Sequence, residues 1–177
     1  MSETLQESGA SFKFGTVSAV DAAACRVRVR LPDCDNLRTA WLPVLQAKTL
    51  RDKHYHLPDI GEHVAVLLDA HGEDGMVLGA VYSSADAPPV SSGDKHHLRF
   101  DDGAEIEYDR VRHQLTVKGG IRKLVVEVGA DIVLKAGGKI TLDAPQTEIT
   151  GNVRISGNLD ADGTVMDGGG NSNHHRH

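Results

Sequence analysis

Aromatic residues make up only 4% of this chain, which argues against one thick core built around large rings. Cysteine is nearly absent as well. The two present, Cys25 and Cys34, bracket an expected strand and its turn. Two thiols do not make the dense framework of a small secreted scaffold, so free thiols in a reducing compartment are expected, with a disulfide between them as the alternative. No run of residues approaches the ~18 consecutive apolar positions of a membrane helix. The opening Met1-Ser-Glu-Thr-Leu-Gln-Glu-Ser-Gly9 has neither the basic start nor the apolar stretch of a signal peptide. The chain is therefore expected to be made soluble and inside the cell. A basic excess is missing too: the net charge is −6, so no nucleic-acid partner is indicated. Helix signals are almost absent, with at most a short helical turn near Gln46–Lys53. What remains is 40% hydrophobic residues and 19 glycines in 177 residues, a composition suited to thin layers of small aliphatic side chains.

Two halves of the chain follow different patterns. Residues 12–82 read as five strands with irregular turns. Phe14–Val20 leads into Cys25–Leu31, where strict alternation buries Val27, Val29 and Leu31 and turns Arg26, Arg28 and Arg30 to solvent. Pro32–Asp35 reads as a turn. Thr39–Leu45 is the third strand, with Pro43 marking an edge or a bulge. His63–Asp69 and Met76–Tyr82 make a hairpin around Ala70–Gly75. Five antiparallel strands in about 70 residues suit a small closed barrel such as an OB-fold. Residues 1–11 are expected to be disordered, and residues 83–97, rich in Pro and Ser, form a linker.

From residue 98 the sequence becomes repetitive. Apolar pairs at i, i+2 recur as Leu98/Phe100, Ile106/Tyr108, Leu115/Val117, Val126/Val128, Ile132/Leu134, Ile140/Leu142, Thr147/Ile149 and Val153/Ile155. Gly, Asp, Asn or Pro separates the pairs, and each turn reads as too tight for a hairpin sandwich. Short repeats cannot bury their apolar sides alone, so stacking must do it. A single-chain β-helix would have only about three turns at the usual ~20 residues each, with two raw ends. Three chains wound together instead fill a narrow prism with Val, Ile and Leu. With about eight strands per chain at ~4.8 Å, the shaft over residues 98–166 would be roughly 40 Å long.

Residues 167–177 close the chain as Asp-Gly-Gly-Gly-Asn-Ser-Asn-His-His-Arg-His. His175 and His177, at i and i+2, project to one side of an extended strand and can share a cation. Two imidazoles are too few for a structural site, but three converging chains supply six. Six nitrogen donors suit an octahedral transition metal better than zinc; iron(II) comes first, with nickel or cobalt as alternatives. Full ligation leaves no open position, so the metal would be structural. His174 is expected to point the other way along the strand and not to be a ligand, with an exchange of roles in a shifted register as the alternative. Rival groups carry less weight. His54-Tyr55-His56 has the same spacing but lies in a loop, and His96-His97 reads as surface imidazoles. Asp101-Asp102 and Asp160/Asp162 read as turn residues. Gly168–Gly170 lacks the following helix and the Lys of a phosphate loop. Glu105 and Glu107 share a strand face as the paired carboxylates of a glycan-cleaving enzyme would, but alternation explains them as a solvated side. No catalytic residues and no enzyme activity are expected. An oligosaccharide- or nucleic-acid-binding OB module on a trimeric stalk is the second reading, resting on Arg26, Arg28, Arg30 and the single Trp41.

Several blocks also resemble a known family. Phe14-Gly-Thr-Val17, Arg28-Val-Arg-Leu-Pro-Asp33, Trp41-Leu-Pro-Val44, Leu57-Pro-Asp-Ile-Gly-Glu62, Val64-Ala-Val66 and Leu78-Gly-Ala-Val-Tyr82 are similar to the OB domain of phage tail-spike and baseplate proteins. Together with the repeat and the His-x-His end, they make the chain resemble the baseplate assembly protein V family, the central spikes of contractile-tailed phages. The resemblance implies a homotrimeric, membrane-piercing needle below the baseplate hub proteins, with the host outer membrane as target. It implies an OB-fold barrel followed by an intertwined triple-stranded β-helix, with one iron ion per trimer at an apex where only His175 and His177 match the family's metal site. It also implies a virion protein at the tail tip, assembled in the host cytoplasm. Larger relatives insert a lysozyme domain between barrel and shaft; here that interval is about fifteen residues, so cell-wall hydrolysis is expected from elsewhere.

Overall fold

The computed structural model describes residues 9–70, 72 and 74–166 of the chain. It divides into two units, one ending at Leu124 and one beginning at Val125. Among the described residues, the first unit carries nine strands: β1 (Ser11–Asp21), β2 (Arg26–Leu31), β3 (Leu37–Arg38), β4 (Leu42–Pro43), β5 (His63–Leu68), β6 (Gly75–Ala80), β7 (Lys95–Arg99), β8 (Glu105–Asp109) and β9 (Gln114–Lys118).

The first six strands form one sheet in the order β3-β2-β1-β5-β6, with β4 also pairing β2. β1 divides its length between two neighbours: Ser11–Thr16 pair with β5, and Thr16–Asp21 pair with β2, with a bulge between Val17 and Ala19. Such a bulge bends a strand and raises its twist, which curls the sheet. At the changeover stands Gly15, where a Cβ would meet the Arg30 carbonyl oxygen and Val29 Cγ1, both at 2.5 Å. The sheet closes where Val44 bridges Val77 in parallel and the Leu45 N–H donates to the Val77 carbonyl at 2.9 Å. This is the OB-like barrel that the alternating pattern implies, with six strands in place of five because the third is broken in two. Its interior holds Val17, Val27, Val29, Leu31, Leu42, Val64, Val66, Leu68 and Val77, with Val20, Val44 and Leu57 packed against them. Seven of those nine are the β-branched or aliphatic residues of β2, β5 and β6 that alternation turns inward.

Two details differ from the sequence reading, and a third, the expected turn after β2, is made specific. The third strand is not continuous. Leu37–Arg38 and Leu42–Pro43 pair separately with β2, and the gap between them is bridged by the buried Thr39. Its Oγ1 accepts the Val29 N–H at 3.0 Å and donates to the Ala40 carbonyl at 2.9 Å, while its own N–H donates to the Val29 carbonyl at 2.9 Å. A side-chain hydroxyl thus takes over one rung of the ladder. Residues 46–53 form bends rather than a helical turn. There the Gln46 side chain organises the loop instead, donating to the His56 carbonyl at 2.7 Å and accepting the His56 N–H at 3.0 Å. Finally, the turn after β2 is a short 3-10 turn, Pro32–Cys34, followed by Asp35 and Asn36 with φ of 53° and 57°, a left-handed pair that Asp and Asn tolerate best among non-glycine residues. Cys25 and Cys34 are both free thiols.

The last three strands make a separate antiparallel meander, β7-β8-β9. It corrects the expectation that every turn beyond residue 97 is too tight for a hairpin. Asp102 Oδ1 accepts the Ala104 N–H at 3.0 Å, and Gly103 takes a φ of 83°. At the second turn Asp109 Oδ1 accepts the Val111 and Arg112 N–H groups at 2.9 and 3.0 Å, and His113 is left-handed with φ 52°. Side-chain carboxylates thus close both turns. β7 begins at Lys95, so Lys95–His97, read from sequence as the end of the linker, are in strand. Between Gly119 and Met166 no strand forms among the described residues.

Candidate functional site

The meander has two chemically opposite faces, because side chains alternate along each strand. On one face the cross-strand rows are Lys95–Asp109–Gln114, His97–Glu107–Thr116 and Arg99–Glu105–Lys118. Glu107 is the hub of this face, accepting Lys95 Nζ at 2.9 Å and meeting His97 Nδ1 at 3.0 Å. The Lys95 ammonium, with a further contribution from His97, lowers the Glu107 carboxyl below its ordinary value. Lys118 pairs with Glu105 at 3.2 Å. Asp109 is also held low, chiefly by the N–H of Arg112 and then that of Val111. Charge on this face is largely matched within the chain.

The other face carries the rows His96–Tyr108–Leu115 and Leu98–Ile106–Val117. All five of its apolar side chains are exposed. A sheet with one apolar face needs a second layer to cover it. The unit beginning at Val125 shows the same condition in stronger form. Val126, Val128, Ile132, Leu134, Ile140 and Leu142 are all exposed, on backbone that forms no ladder among the described residues.

The sequence-derived candidates fall as follows. His175 and His177 lie outside the described residues, as does the whole of 167–177. His54 Nδ1 lies 3.3 Å from Gln46 Oε1, and Tyr55 Oη donates to the Ala22 carbonyl at 3.0 Å, so this loop is held by ordinary hydrogen bonds. His96 and His97 are in adjacent register positions and therefore on opposite faces of β7. Glu105 and Glu107 do share a face, and each is engaged by a cation of the same sheet. Among the described residues, no group of three or more His, Cys, Asp or Glu is arranged to hold a metal ion.

Sequence reasoning missed the His97–Glu107–Lys95 cluster. The His97 side chain is only 7% exposed. The signal was available in principle, since Lys95, His97, Glu105 and Glu107 all keep the i, i+2 parity of one strand face. Only the hairpin register brings them together.

Residues 13–82 match the family model of the type VI secretion system/phage-baseplate injector OB domain, the same segment that closes the barrel. Among known proteins, the spike protein of Escherichia phage P2 is 32% identical over 153 residues, covering 82% of this chain and 71% of that protein. The likeness runs well past the barrel into the repeat-bearing half. A closed OB-like barrel, the injector OB match and this long alignment agree, and the chain belongs to the phage baseplate spike family.

Proposed function

We propose that three copies of this chain form the membrane-piercing needle of a contractile phage tail, attached below the baseplate hub by the barrels. The carrying observation is the uncovered apolar surface. The Leu98–Ile106–Val117 row and the alternating aliphatic residues of 125–166 are exposed on an isolated chain. The polar face of the meander, by contrast, is matched in charge and suited to solvent. Three such sheets with apolar faces toward a common axis would make a closed prism, and the following repeats would wind into an intertwined shaft. Interchain backbone hydrogen bonds would then satisfy the N–H and C=O groups that have no ladder within one chain. Such a shaft is stiff because every strand is tied to its neighbours, and it encloses no pocket for a substrate. The work is mechanical: the spike would cross the host outer membrane rather than degrade it.

At the apex, His175 and His177 of each chain would supply six imidazole nitrogens to one iron ion. The support is the donor chemistry: neutral imidazoles, two per chain at i, i+2, suit an octahedral first-row metal. The ion would lock three chain ends into one point. The test is His175→Ala combined with His177→Ala in the full chain. The expected product is a trimer of normal barrel and shaft that carries no transition metal by elemental analysis. Full metal occupancy in that variant would overturn the assignment.

A further inference from the structure

We propose that the outer face of β2 and β3 is a docking surface for a carboxylate-bearing protein surface of the baseplate, an inference that rests on the spike reading above. Alternation along β2 sends Val27, Val29 and Leu31 into the core and Arg26, Arg28 and Arg30 to the outside. β3 then sets Arg38 directly opposite Arg30. Like charges directly opposed across a strand pair weaken a sheet. The chain does not compensate: none of these four arginines forms an ion pair, and the ion pairs among the described residues lie elsewhere. Asp21 stands opposite Arg26 in register, but its Oδ1 accepts the Ala24 N–H at 3.1 Å in the adjoining turn.

The row is nonetheless held in place. Arg28 lies over the Trp41 ring with its guanidinium carbon 5.0 Å from the centroid, and its Nε is buried without a hydrogen-bond partner. Arg38 Nε donates to Ser18 Oγ at 3.1 Å, and that hydroxyl donates to the Arg28 carbonyl, also at 3.1 Å. Two of the four guanidinium groups are therefore fixed by neutral partners that leave their charge unneutralised. The meander treats charge in the opposite way, matching Glu105 and Glu107 with cations of its own. An unmatched cationic row on a chain of net charge −6 is an electrostatic complement for an acidic surface, and it would set orientation and association rate. Planar guanidinium forks suit carboxylates in two-point contact, and stacking on Trp41 orders one fork before the partner arrives.

Protein is favoured over nucleic acid because the single tryptophan is already covered by Arg28, so it offers no free platform on which bases could stack.

The test uses the full chain and baseplates assembled in its absence. Wild-type spike is added at a series of salt concentrations, and the amount incorporated is measured. Incorporation is expected to fall as salt rises. Arg30→Glu with Arg38→Glu should lower it on the order of a hundredfold at equal concentration, the scale of two reversed charge contacts in an interface. Arg30→Gln with Arg38→Gln is the second variant, which separates docking from any folding defect of charge reversal. It removes like-charge opposition, so it should melt at or above the wild-type temperature while still incorporating at least tenfold less. Wild-type incorporation by both variants overturns the proposal. So does normal incorporation together with lost binding to a poly-dT oligonucleotide, which would mark a nucleic-acid face. Failure of the wild-type chain itself to incorporate is seen before any variant is compared; it would overturn the spike reading and the proposal with it.

Discussion

Ile106→Asp is expected to destabilise the assembled trimer at the meander, lowering its melting temperature and promoting dissociation, while leaving the barrel folded. Ile106 sits in the middle of the row between Leu98 and Val117 on the apolar face of the meander. These side chains are 45%, 39% and 51% exposed for Leu98, Ile106 and Val117. Full burial of such a side chain stabilises by about 1.5–3 kcal/mol, so covering what remains exposed contributes roughly 1 kcal/mol each. The row then supplies on the order of 9 kcal/mol to a trimer, counting three residues in three chains. A carboxylate at the centre forfeits the Ile share and adds a desolvation cost of several kcal/mol per buried ion, repeated three times about the axis. That exceeds what the row contributes. Sedimentation velocity at micromolar concentration reads the outcome, and the near-ultraviolet signal of Trp41 reports whether the barrel is intact. Glu107→Gln, on the opposite face, should stay trimeric. A trimeric Ile106→Asp protein with an unchanged melting temperature would refute the assignment of this face to the interior.

Two further outcomes follow from the same geometry. Thr39→Val removes the hydroxyl that accepts the Val29 N–H and leaves a buried donor unsatisfied, a loss of about 1–3 kcal/mol; the urea midpoint should drop, Thr39→Ser should recover most of it, and equal midpoints for all three proteins would contradict the role given to Thr39. The Glu107 carboxyl is lowered by Lys95 and His97, so its contribution is present above the ordinary glutamate range and is lost as pH falls through the lower folded value. Amide protection in β7–β9, measured against the intrinsic exchange rate at each pH, should therefore fall below about pH 4, less so in Glu107→Gln, and equal acid sensitivity in the two proteins would show that the cluster does not carry the effect.

The barrel was legible because its strands obey one rule at a time. β2 alternates strictly, so its inward set of Val27, Val29 and Leu31 could be written down from parity, and the apolar runs of β5 and β6, bounded by turn residues, marked the hairpin. The third strand was not legible, because its break depends on a tertiary bond. Nothing local in Thr39-Ala-Trp-Leu says that a threonine hydroxyl will replace a rung of β2. The meander was misjudged for a related reason. Asp102 was visible as a turn residue and Asp109 was not singled out, and only their side-chain bonds to backbone N–H groups show that the turns reverse the chain. Residues 46–53 looked weakly helical by composition, and the long-range hydrogen bonds of Gln46 to His56 decide otherwise. The arginines of β2 were placed correctly on the outside. That Arg38 faces Arg30, and that Arg28 rests on Trp41, needed the register and the fold.

The native mass spectrum of the untagged full chain tests the needle most directly. One chain weighs 19.0 kDa, so a trimeric spike with a single-ion tip should appear at about 57 kDa plus the mass of one transition metal, and a chelator at acidic pH should remove the metal as imidazole protonates. A metal-free monomer at the same concentration would contradict both the shaft and its tip.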